Sequence, residues 1–106
     1  MDRKPAQNVY SRIQQNYPDY FAAVEALGSA AHNAGPLDER TLHLIRLGAA
    51  AAIRSEGAVH SHVLRARDAG ADAAEIRHAL LALTSTLGFP TVAAALSWAD
   101  DILGQD

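Results

Sequence analysis

The chain reads as an all-α protein, and three observations point that way. Hydrophobic residues make up 49% of its 106 residues and aromatics only 6%, with alanine the commonest type. Small side chains let helices approach closely. Apolar residues recur three and four positions apart through most of the sequence, which is the period of one helix face. No segment alternates apolar and polar residues convincingly and β-branched residues are few, so no strand is predicted. A chain of this length suits one domain that buries roughly two thirds of the surface exposed when unfolded.

Five or six helices follow in order. Residues 1–7 read as a flexible N-terminal tail and 8–106 as the single domain. "NVYSRIQQNY" forms a short first helix with Val9, Ile13 and Tyr17 on one face. Pro18 suits the first turn of the second helix, because its missing N–H would have no partner there. Phe21, Val24, Leu27 and Ala31 form the inward stripe of that helix, which stops near "NAGP". Asp38 caps a third helix reaching about Arg54, with Leu42, Ile45, Ala49 and Ala52 as its expected buried stripe. Ser55 ends that helix and caps the fourth, placing Glu56 in a first turn where the helix dipole favours an anion. Gly70 fits the left-handed stop after about Ala69. "DAAE" (Asp72–Glu75) is a capping box with Asp in place of Ser or Thr, and Ile76, Leu80 and Leu83 or Leu87 then face inward. "GFP" breaks the chain, and Pro90 starts a last helix burying Val92, Leu96, Ala99 and Leu103.

Charge and cysteine content exclude several classes of function. Lys and Arg number 9 against 12 Asp and Glu, a net charge of −3 that offers no basic excess to neutralise phosphates. Nucleic acid is not an expected partner. There are no cysteines, so disulfides, thiolate metal sites and thiol catalysis are absent from this chain. "MDRKPAQNVY" lacks the apolar core of a signal peptide, and the longest apolar run, "LGAAAAI", is far too short to cross a bilayer. No membrane association, no cofactor and a cytoplasmic location are the expectations.

The chemistry-bearing residues concentrate around "SEGAVHSH", which holds two of the five histidines. His60 and His62 have the look of an H-x-H metal motif. On a helix, however, they point about 200° apart and cannot share an ion. His62 falls on the side of Val59 and Ala66, the more buried one, where a histidine needs a hydrogen-bond partner. His60 shares the other side with Leu64 and Arg67.

"LDERTLHLI", the His62-x3-Ala66-x3-Gly70 spacing in "HVLRARDAG", "ADAAEI" and the "GFP" before the last helix occur in one order over about residues 20–103. In that order they resemble the carboxymuconolactone decarboxylase and AhpD-like alkylhydroperoxidase superfamily. The resemblance implies the AhpD-like all-α bundle and a homo-oligomer, trimer or hexamer. It also implies a small-molecule substrate or ligand. In the peroxidase branch a Glu stands twelve residues before a C-x-x-C pair, and a His follows the second Cys by four. Counting back from His62 puts Ala58 and Ser55 at the cysteine positions and His43 at the glutamate. Only His62 is kept, and a serine hydroxyl is not appreciably ionised near neutrality, so thiol peroxidase activity is not supported.

Three functional readings follow from the resemblance. The first is a cysteine-independent enzyme of the decarboxylase-like group, acting on a small anionic or carbonyl substrate. In it His62, His43 and Ser55 form the catalytic set, while Arg46, Arg54 and Glu56 bind substrate. The second is a relative of the peroxidase branch whose redox pair is replaced, by substitution of a single cysteine or by loss of function. The third is a binding protein in which His43 and His62 hold a divalent metal.

Overall fold

The computed structural model describes residues 5–104, among which there are seven helices and no strand. These are α1 (Pro5–Asn16), α2 (Pro18–His32), α3 (Glu39–Ala52), α4 (Glu56–Asp68), α5 (Ala73–Leu81), α6 (Thr84–Leu87) and α7 (Phe89–Leu103). The four-residue α6 is a single turn, which leaves six longer helices, within the five or six expected of an all-α bundle. No helix among the described residues is long and apolar enough to cross a membrane.

The chain divides into two compact units, with the boundary between Pro36 and Leu37. The first contains α1 and α2. Helix α1 starts at Pro5, so residues 5–7 belong to a helix rather than to the expected tail, and 1–4 lie outside the described residues. Proline is at home in a first helical turn, so the helix reaches further than apolar periodicity alone indicates. The Tyr10 and Phe21 rings meet edge to face at 6.2 Å, joining the two helices. The inward stripe expected on α2 is otherwise not buried. Val24 is 45% and Leu27 70% exposed, and α2 buries no residue.

The second unit holds the core. Leu47, Val59, Val63, Ile76 and Leu80 are fully buried, with Ala50, Ala51, Ala66, Ala95 and Ala99 filling the spaces where helices approach closely. Each of the large side chains contributes about 1.5–3 kcal/mol by leaving water. Helix α3 packs chiefly on α4, while α7 packs on α4 and α5. The stripe expected on α3 is rotated away from the core: Ile45 is exposed, as are Ala49 and Ala52, and the buried residues are His43, Leu47, Ala50 and Ala51. From Leu47 onward α3 is apolar on nearly every face, so two stripes satisfy helical periodicity and only tertiary packing chooses between them.

Local signals are met closely. Asp38 accepts from the Thr41 backbone N–H at 2.8 Å and Ser55 from that of Ala58 at 3.3 Å. Asp72 and Glu75 form a full capping box, each side chain accepting from the other residue's backbone N–H. Gly70 takes φ +103°, the left-handed conformation that ends α4 cheaply only with glycine. The fifth helix is shorter than the sequence indicates. It breaks after Leu81, and the Thr84 hydroxyl donates to the Leu81 carbonyl at 2.7 Å. Arg77 ties α5 to the end of α7, donating to Asp100 Oδ1 at 3.1 Å and to the Gly104 carbonyl at 2.7 Å.

Candidate functional site

The rotation of α3 decides what the site contains. Because His43, Leu47 and Ala50/Ala51 form its buried face, the His43 imidazole is carried into the unit and is only 7% exposed. Helix α4 packs on that face through Val59, Val63 and Ala66. His62, between Val59 and Val63 in sequence, meets His43 with ring centroids 5.7 Å apart and planes inclined by 31°. The two histidines, one on α3 and one on α4, are thus in ring contact.

An open cavity of about 320 Å3 adjoins the pair, lined by Glu39 and His43 of α3 and by Arg65, Asp68 and Ala69 at the other helix's end. His62 does not line it and adjoins it through His43. Glu39 Oε2 stands 3.6 Å from His43 Nε2, one turn earlier on the same helix. The cavity thus offers an imidazole, one guanidinium and two carboxylates within a small volume.

His62 is the perturbed group of the site. Its pKa falls from 6.5 to about 4, first because burial disfavours the imidazolium, then because Arg65, His43 and Arg46 oppose a further positive charge. Its Nδ1 is buried and has no hydrogen-bond partner among the described residues. A buried polar nitrogen without a partner costs about 1–3 kcal/mol, so the fold tolerates a penalty here.

Of the other residues singled out from the sequence, Arg46 lies close enough to act electrostatically on His62. Ser55 sits at the opposite end of α4 from the cavity and caps that helix. Arg54, in a left-handed conformation at φ 55°, donates to Thr91 Oγ1 on α7 at 2.9 Å. Glu56 faces His60, with Oε2 and Nε2 4.0 Å apart. These three are not brought to the cavity. Glu39, Arg65 and Asp68 are, and sequence reasoning passed over them. The signal for two of them was helical spacing: Glu39 precedes His43 by four residues and Arg65 follows His62 by three.

The metal expectation falls on His43 and His62. Among the described residues, the group of three or more ligating side chains that converges is Glu56, His60 and Asp101, on the other side of α4. No match is found among curated proteins, nor among solved structures. The model of the carboxymuconolactone decarboxylase family does match, over residues 18–101, and with that span covering most of the chain and the helical order as described, the chain belongs to the carboxymuconolactone decarboxylase family.

Proposed function

We propose that the protein is a cysteine-independent enzyme of the decarboxylase-like group, acting on a small carboxylate-bearing carbonyl compound. His43 and His62 form its general acid/base pair and share a proton. The observation that carries this reading is the contact between His43 and His62 beside a cavity holding a guanidinium. When carbon dioxide leaves such a substrate, its bonding electron pair passes into the adjacent carbonyl system. The carbon that carried it then takes a proton through His43, the imidazole that lines the cavity, while His62 in ring contact behind it shares that proton and water replaces it. Arg65 and Arg46 offset the negative charge that the substrate brings and that builds up during the loss. In this reading the anion is held by Arg65, the guanidinium that lines the cavity, rather than by Arg54, whose guanidinium is engaged with Thr91.

An ultraviolet assay of carboxymuconolactone consumption tests the proposal directly. Turnover by the parent protein, reduced about 10²- to 10⁴-fold in His62→Ala, is the expected result. Turnover that survives His62→Ala would remove the histidine from the mechanism, and no turnover in the parent would remove this substrate.

One observation favours a second reading, a peroxidase-branch relative whose cysteines are replaced. The Ser55 side chain accepts a backbone hydrogen bond at the start of α4, where a thiolate would be stabilised by the same N–H and by the helix dipole. A Ser55→Cys/Ala58→Cys variant that reduces an organic hydroperoxide with a dithiol donor would support it. Self-association into a trimer or hexamer belongs to the proposal too. Exposed Val24, Leu27, Ile45, Ile53 and Phe89 supply apolar surface for it, and light scattering coupled to size exclusion gives the mass.

A further inference from the structure

His60 lies two residues before His62 and on the other side of the same helix, outside the cavity and the proposed mechanism. Its ring stands among carboxylates. Nε2 is 2.9 Å from Asp101 Oδ2 on α7 and 4.0 Å from Glu56 Oε2, one turn earlier on α4. One ligand atom from each of the three residues falls within 4.8 Å of the others. We propose that Glu56, His60 and Asp101 form a binding site for a divalent cation of the zinc class, clamping the start of α4 to the last turns of α7.

The donor set selects the kind of ion. A neutral imidazole nitrogen suits zinc and the neighbouring first-row metals better than magnesium or calcium, which prefer all-oxygen shells. Zinc sits about 2.0–2.2 Å from nitrogen and carboxylate oxygen, so tetrahedral donors lie roughly 3.3 Å from one another. That separation is intermediate between the 2.9 Å and 4.0 Å found here. The Glu56 and Asp101 carboxylates, whose ligand atoms lie within 4.8 Å of each other, are both exposed side chains that rotate to close these separations around an ion. The Glu-x3-His spacing is one helical turn, which puts both α4 ligands on one face. The two carboxylate charges balance a divalent ion.

Accessibility sets the character of the site. The His60 side chain is 21% exposed, against 57% for Glu56 and 54% for Asp101. The His60 ring is thus anchored against the protein while the carboxylates face water, leaving a coordination position open to solvent. An open site of three ligands binds more weakly than a closed structural one. The bound ion replaces the direct His60–Asp101 hydrogen bond with a bridge of three arms.

The test is equilibrium dialysis of the tag-free, chelator-treated chain against zinc chloride, with zinc counted by mass spectrometry and melting followed by circular dichroism. Expected is saturable binding of one zinc per chain with a rise in melting temperature. In Asp101→Asn the affinity falls about tenfold or more and the rise disappears. Glu56→Gln, whose exposed side chain endangers the fold least, is expected to weaken binding in the same direction. Binding should persist in His62→Ala, which separates this site from the proposed acid/base pair and makes the two proposals independent. Three outcomes overturn the site: no saturable binding up to millimolar zinc, undiminished binding in both carboxylate variants, or binding lost in His62→Ala.

Discussion

Helix α4 carries two imidazoles two residues apart, and their surroundings have almost nothing in common. His62 is turned to α3, against His43 and under the influence of two arginines, where burial and these neighbours oppose its protonation. His60 is turned to α7, between two carboxylates that both attract positive charge. Neither neighbourhood is written into the histidine. A rotation of about 200° along one helix exposes the same side chain to opposite fields, so the question to ask of a histidine pair is which helix each ring faces. Under the two proposals, the α3 side passes a proton to a small substrate and the α7 side holds a cation.

Breaking the α3 side by packing gives the largest expected effect. Leu47 is fully buried one turn beyond His43, in the same core cluster as Val59 and Val63. Leu47→Ala removes that packing and is expected to cost about 2–5 kcal/mol in urea unfolding. Because the cavity falls on the α3 side of α4, turnover should suffer more than zinc binding when both are measured well below the unfolding transition. A cost under about 1 kcal/mol would mean that the face of α3 carrying His43 is not packed as described.

Acid sharpens the same contrast through charge. The folded pKa of His62 lies near 4, below the 6.5 of an unfolded chain, so between those values the unfolded state binds the proton that the folded state refuses. The stability due to this group is complete above pH 6.5 and is lost as the pH falls through the window to about 4. His62 is only partly buried, so solvent screening discounts the loss to the order of 1 kcal/mol. In chelator-containing buffer, the melting temperature of the parent should fall more steeply across this window than that of His62→Gln. Parallel curves for the two proteins would show that burial does not hold His62 neutral.

The two sides also differ in how much of them was legible beforehand. Local chemistry was readable: the Ser55 cap, the Asp72–Glu75 box and the Gly70 stop each depend on a few adjacent residues and hold as expected. The family and the all-helical architecture rest on order and spacing, and they were readable too. The face of α3 was not, because leucine, isoleucine and alanine surround it and alanine fits core and surface alike. His43 was reached through its position relative to His62 instead. Asp68 becomes visible only when the end of α4 is laid against the start of α3. Asp101 is forty-one residues from His60, and no periodicity connects residues that far apart.

The smallest expected effect comes from the start of α4, which both sides share. Ser55 Oγ accepts from the Ala58 N–H at 3.3 Å, a long bond, so Ser55→Ala should cost about 0.5–1 kcal/mol, the lower part of the range for losing such a cap. The two histidines should not feel this equally. Glu56 lies in the first turn, where a helix without its cap frays, and loosening it withdraws one arm of the zinc site. His62 is two turns in, held by Val59 and Val63 on either side of it in sequence, both fully buried. Zinc affinity in Ser55→Ala should therefore drop severalfold while the acid window of His62 keeps its position. If the acid window moved and zinc affinity did not, the helix start would be coupled to the α3 side, and the division of α4 into two independent faces would fail.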